Sequence, residues 1–311
     1  MTATVAPRAD RTTVMKLPWR DRAGRLSWLK LAVFAALFVP GAWIGAKLAL
    51  GMMGGKPLTA AIHQTGDWAV RFLVASLAIS PLRRIAQWPQ LILVRRMVGL
   101  AALAYATIHL CLYVVDQGFD LARVATEIAL RFYLTIGFVA LLGLAVLGAT
   151  STDAIIRRMG AAWHRLHMIV YGIAALALVH YFLQTKLEVS SPLLWAGYLL
   201  LLLGYRLMHR AGLPTNPLTL AGLAVAAALA CALVEGAWYK LATGVPVPFL
   251  DILAQNLEFY EIRSPWWVLG VGLALALVNV VRGRKTAGKP AKRPAQMTLA
   301  SGSGRPAATR P

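Results

Sequence analysis

Six histidines lie along the chain, and three of them, His109, His167 and His180, fall inside long apolar stretches. An ionisable group in such a stretch is costly, so these three are the first candidates for chemistry. His109 and His180 lie near the same end of two different stretches. Two imidazoles at one depth on different helices are what a bis-imidazole haem requires, one on each face of the iron. Neutral imidazole is a good iron ligand, and its burial costs less than that of a charge. Proton relays and hydrogen bonds between helices also use buried histidine, so spacing alone leaves those alternatives open.

His167 precedes His180 by thirteen residues, which places it about 20 Å lower on an ideal helix and turned by about 140°. A matching second ligand on the stretch of His109 would fall at Arg95. The pattern supports one complete iron site and a lower one with a single obvious ligand. His164 reads as an interfacial residue near the same face as His167. His63, just before the second stretch, and His209, at the end of the sixth, also read as interfacial. Arg71 lies inside the second stretch, where it either snorkels or pairs with a haem propionate or another anionic cofactor. Glu235 and most of the aromatic residues Trp68, Tyr105, Tyr113, Trp163, Tyr171 and Tyr181 read as interfacial. Gly99, Gly137, Gly143 and Gly148 suit close helix packing.

The elements that must position these residues follow from composition. Of 311 residues 59% are hydrophobic and 14% charged, with a mean hydropathy of +0.63. Those values exclude a soluble globular enzyme, a disordered chain and a disulfide scaffold as overall readings. Eight spans, near 28–49, 66–82, 94–115, 131–149, 163–184, 192–209, 218–239 and 265–282, predict an all-α polytopic bundle. The run from Trp28 is too long for a signal peptide and reads as a retained first span. Cys111 and Cys231 read as small buried hydrophobes rather than a disulfide. No internal repeat is evident.

The net charge is +20, and residues 1–30 and 282–311 together carry +13 of it. Basic tails beside membrane spans set topology or touch anionic lipid more often than they bind nucleic acid. The loops alternate, with arginines at 83–84, 95–96, 157–158, 206 and 210 and mixed or acidic loops between them. This pattern predicts both termini on the cytoplasmic side of a bacterial inner membrane. A Gly-x-Gly-x-x-Gly fingerprint, a Walker A sequence and a Cys-x-x-Cys pair are absent. The chain therefore lacks the soluble nucleotide-binding domain of a complete NAD(P)H oxidase.

An ordered set of short motifs gives the sequence a likeness. They are His63–Gln64–Thr65–Gly66 with Trp68–Ala69, Ser80–Pro81–Leu82–Arg83–Arg84, and Arg95–Arg96–Met97–Val98–Gly99–Leu100. Tyr105–Ala106–Thr107–Ile108–His109–Leu110, Thr150–Ser151, Met159–Gly160 with Trp163, Leu166–His167 with Val170–Tyr171, and His180–Tyr181 follow. Over roughly residues 25–210 the chain resembles the YedZ/MsrQ family. These are haem-binding membrane subunits of the protein-methionine-sulfoxide reductase system, within the ferric-reductase-like transmembrane superfamily.

The resemblance implies a six-helix haem-bearing core over 28–210 that holds one or two haem b. It implies FMN and quinone as further cofactors, and quinol or a cytoplasmic flavin reductase as electron donor. The implied acceptor is a periplasmic molybdopterin-containing catalytic subunit. By residue match His109 and His180 would ligate an outer haem, and His167 would serve a second, inner site. Residues 211–282 depart from the family pattern by adding two spans, followed by a basic tail at 283–311. A ferric reductase or another quinone-linked cytochrome b is the nearest alternative. A haem-free transporter or scaffold is a more distant one, since paired Gly/Pro interruptions are missing.

Overall fold

The computed structural model describes residues 17–20, 24–244, 246–258 and 261–287. The basic ends expected at 1–27 and 283–311 lie largely outside the described residues. Among the described residues there are twelve α-helices and no strand. In chain order they are α1 (Trp28–Ala49), α2 (Pro57–Ile85), α3 (Arg95–Asp116), α4 (Leu121–Leu130), α5 (Phe132–Ala149) and α6 (Asp153–Met159). Then come α7 (Ala161–His167), α8 (Val170–Thr185), α9 (Ser190–Arg210), α10 (Pro217–Trp238), α11 (Phe249–Gln255) and α12 (Ser264–Ala287).

Among the described residues seven helical segments are long and apolar enough to cross a membrane, and the protein is a multi-pass membrane protein. The second expected span, 66–82, is not among the seven. It lies in α2, which starts earlier, at Pro57, and runs for 29 residues. Asp67, Arg71 and the other polar residues of α2 lower its hydropathy. The helix tolerates them because α1, α3, α8, α9 and α12 all pack against it. Thirteen of its residues are buried. A helix that meets protein on most sides needs no continuous apolar surface.

Around α2 the helices α3, α5 and α8 close a four-helix ring, with α2 against α3, α3 against α5, α5 against α8 and α8 against α2. Lipid is as apolar as leucine, so close approach and polar ties must hold such a ring together. A Cβ on Gly148 would lie 2.4 Å from Leu103, and one on Gly143 2.8 Å from Ile173. The small residues expected at the packing seams are therefore required there.

Two helix prolines are served by side chains of neighbouring helices. Pro40 sits inside α1. Beside it the Tyr105 hydroxyl of α3 accepts from Gly41 N at 2.6 Å and donates to Leu37 O at 2.9 Å. Pro81 of α2 leaves the Leu77 carbonyl without its helical donor. Arg206 Nη2 of α9 lies 3.5 Å from that oxygen. Arg206 stands beside Arg84, Arg95 and Arg210, so the arginine-rich loops share one end of the bundle.

Several sequence expectations give way. Tyr105 is a core residue that pins α1, not a belt residue. Trp163 stacks on His167 at 3.9 Å and donates to Thr150 O at 2.9 Å. Cys231 is buried, but Cys111 lies on the exposed side of α3. The fifth span holds as one apolar segment, Ala161–Thr185, but a turn at Met168–Ile169 divides it into α7 and α8. The rotation of an ideal helix therefore does not relate His167 to His180.

Of the three helices beyond Arg210 among the described residues, the long α10 and α12 pack on each other and on α9. Glu235, read as interfacial, is 6% exposed. It accepts from Asn256 Nδ2 at 2.9 Å and pairs with Arg263 at 3.2 Å. Loop residues that fold back over the helix end thus bury it.

Tyr105→Phe leaves Gly41 N–H and Leu37 C=O without the hydroxyl that now serves both. The expected cost is about 1–3 kcal/mol, read as a lower denaturation midpoint in detergent.

Candidate functional site

The ring of α2, α3, α5 and α8 encloses a cavity of about 710 Å³. That volume is in the range of small-molecule and cofactor sites, about 300–1,000 Å³. Leu73, Val70, Leu141, Leu144, Ala106 and Ala177 make part of its wall apolar. Tyr113, Gln117, Arg123, Glu127, Arg131, Gln184 and Glu188 make another part polar. These residues come from α4 and from the α3 and α8 ends, so the polar part marks the mouth.

His109 and His180 face each other across this cavity, with ring centroids 6.3 Å apart and planes at 86°. The Nδ1 of His109 lies 2.7 Å from the Ile62 carbonyl of α2. The Nδ1 of His180 lies 2.7 Å from the Tyr133 carbonyl at the start of α5. A carbonyl only accepts, so each Nδ1 carries the proton and donates it. Each Nε2 is left with a lone pair, the form in which imidazole binds a metal.

Each ring also rests on a glycine. A Cβ on Gly66 would stand 2.9 Å from His109 Nδ1, and one on Gly137 2.7 Å from His180 Nδ1. Any other residue would push the ring off its carbonyl. Both glycines occupy the position four residues after the accepting carbonyl, one helical turn along the same face.

The two halves repeat this device. Carbonyl and histidine are 47 residues apart in both. Moving from Gly66 to Gly137, a shift of 71 residues, carries Ala69 to Ala140, Leu73 to Leu144, Ala106 to Ala177 and His109 to His180. All ten of these residues line the cavity. The pairs α2–α3 and α5–α8 thus run in the same sense, as parallel repeats do. The shared depth of His109 and His180 follows directly. No repeat was evident in the sequence, because the spatial match rests on a few positions spread over two helices.

The other expected site residues lie elsewhere. His167 does not line the cavity. Its Nδ1 is 3.1 Å from Trp163 O and its Nε2 3.4 Å from Ser151 Oγ, near the opposite helix ends. Arg71 stands one layer behind the wall. It pairs with Asp67 and lies over the rings of Trp68, at 4.7 Å, and Trp195, at 5.8 Å. Asp67 does line the cavity and accepts from Tyr181 Oη at 2.7 Å. His63, inside α2 rather than before it, is on the cavity wall. Asp67, Arg123 and Arg131 were not picked out as site residues.

The comparisons with known proteins agree with this geometry. The description "Ferric reductase like transmembrane component" matches residues 65–178. The haem-binding subunit MsrQ of a protein-methionine-sulfoxide reductase from Rhodospirillum rubrum is 42% identical over 191 residues, which cover 61% of this chain and 89% of the relative. The chain belongs to the MsrQ family. The MsrQ subunit of Polaromonas naphthalenivorans is 40% identical over 196 residues, 60% of this chain and 90% of its own length. That of Xanthomonas campestris pv. campestris is 40% identical over 188 residues, 58% of this chain and 86% of its own. No solved structure matches with significance.

Tyr181→Phe removes the bond that ties α8 to the Asp67–Arg71 pair of α2. The expected cost is about 1.5–3 kcal/mol, the worth of a hydrogen bond to a charged group. In combination with Asp67→Asn the loss should be less than the sum of the two, as a double-mutant cycle in detergent would read.

Proposed function

We propose that the chain is a haem-carrying electron-transfer subunit of a protein-methionine-sulfoxide reductase system. One observation carries the reading: two imidazoles across one cavity, each with Nδ1 committed to a backbone carbonyl and Nε2 free. Two metal–nitrogen bonds of about 2 Å and two ring radii of about 1.1 Å span about 6 Å. The 6.3 Å between the ring centroids fits two imidazoles that share one iron. The glycine seats and the cavity volume fit a macrocycle between them.

His109 and His180 would hold the iron from its two faces. Bound haem supplies a reversible one-electron couple. The carbonyls of Ile62 and Tyr133 fix the tautomer and keep both rings facing the cavity. With two protein imidazoles holding it, the iron would suit electron transfer rather than binding of a substrate. Asp67 and Tyr181 on the wall, with Arg71 behind it, hold α2 and α8 in register.

The wider assignment rests on the family. Haem b is the proposed group, with an acceptor that is a periplasmic molybdopterin-containing catalytic subunit. Quinol or a cytoplasmic flavin reductase is the proposed donor, with FMN or quinone as an intermediate carrier. The arginine-rich end of the bundle would face the cytoplasm, with both termini there, in a bacterial inner membrane. His167 belongs to that end and is the proposed ligand or partner of an inner cofactor.

The test is an optical spectrum of the purified, detergent-solubilised protein with haem quantified per chain. A low-spin b-type spectrum is expected, and it should vanish in His109→Ala and His180→Ala. Full retention of that spectrum in both variants would sink the ligand assignment. Gly66→Ala and Gly137→Ala should each lower haem content by displacing a ring. A stoichiometry of two that falls to one in His167→Ala would place iron at His167, and a stoichiometry of one would remove it from that role.

A further inference from the structure

The wall of the cavity is almost wholly duplicated by the 71-residue shift. Its main unduplicated part is the face of α4 and the residue after it, which contributes Arg123, Glu127, Ile128 and Arg131. This short helix lies between the two halves of the repeat. Asp120 caps it, accepting from Arg123 N at 2.9 Å. Val124 buries its inner side, and Thr135 of α5 donates to Ile128 O at 2.6 Å. The helix is therefore held in place over the mouth.

Its charges are uneven. Arg131 pairs with Glu127 and donates to Tyr133 Oη at 3.2 Å. Tyr133 is the residue whose carbonyl holds His180. The guanidinium of Arg123 has no carboxylate partner among the described residues, and it lies near Tyr113 at the mouth. Around α4 there are thus two guanidinium groups and one carboxylate, and only Arg131 is paired with it. Elsewhere on the wall Asp67 is already satisfied by Arg71 and Tyr181. Across the mouth Glu188 accepts from Ser190 N at 3.4 Å, so on the α4 side the guanidinium of Arg123 offers a cationic edge to a ligand whose body fits the apolar walls.

On the reading of the cavity as a haem site, we propose that Arg123 and Arg131 receive the two propionate carboxylates of the macrocycle. They thereby fix its polar edge toward α4. A guanidinium is suited to this because its planar fork matches a carboxylate. Arg71, also a candidate propionate partner, stands one layer behind the wall. The repeated wall binds the ring, and the unrepeated helix decides which edge points out.

The experiment is potentiometric titration of the full-length protein in detergent, with haem quantified in each sample. Arg123→Gln and Arg131→Gln each remove a cation near the iron, so the reduced state loses support. The reduction equilibrium should shift about three- to tenfold toward the oxidised form, tenfold being about 59 mV for one electron. Glu127→Gln should shift it the other way, and Arg123→Lys should restore most of the wild-type value. A merely structural disturbance would not give opposite signs. Haem-replete Arg123→Gln and Arg131→Gln proteins with wild-type potentials would overturn this proposal and leave the haem reading intact. Wild-type protein that binds no haem would overturn both.

Discussion

The site depends on a hydrogen bond made twice. An imidazole N–H on one helix donates to a carbonyl of a neighbouring helix, and a glycine one turn on leaves room for the ring. In lipid an imidazole without a partner would be expensive, and a ring with both nitrogens engaged could not bind a metal. Committing Nδ1 to backbone solves the first difficulty and leaves Nε2 free. The donation also ties α3 to α2 and α8 to α5, so the bonds that prepare the site help to hold the bundle. Association of helices in a membrane relies on such ties and on close approach, since burial of apolar surface offers little there.

The same constraint explains the unusual composition of α2. Its polar residues are costly in lipid, but several of them face protein and are partnered there. Asp67 joins Arg71 and Tyr181, Thr65 donates to Ala61 O and Ile62 O, and Ser76 donates to Leu73 O. Tyr105 and Arg206 lie at the backbone that prolines disturb in α1 and α2. The central helix is thus defined by its neighbours rather than by its hydropathy. Function follows from that placement, because a helix shielded from lipid can carry the groups that line a cofactor cavity.

Repetition gives the cavity its shape, and departure from repetition gives it direction. Two like modules bring two histidines to one depth without any special device. They also set many wall positions in related pairs, although Asp67 and His63 correspond to Phe138 and Leu134. The inserted α4, with Arg123, Glu127 and Arg131, breaks that equivalence at the mouth. Beyond Arg210 the added helices contribute no residue to the cavity wall. They bury Glu235 in a polar knot of their own and lean on α9.

Much was legible in the sequence, because lipid imposes simple rules on it. Apolar length suggested eight spans, of which seven match segments long and apolar enough to cross a membrane; charge alternation grouped the arginine loops, and rarity singled out His109 and His180. The ordered motifs pointed to the family. The tertiary structure alone decided how those histidines are used. Their backbone acceptors, the glycine seats and the 71-residue relation join positions on different helices, and no local pattern encodes such a pairing. Only the packed structure moved Arg71 behind the wall, put His63 on it and buried Glu235, because a side chain's surroundings are set by neighbours far away in the chain. It likewise set α4 over the mouth, since a ten-residue amphipathic helix is too short for the periodicity that betrays a span.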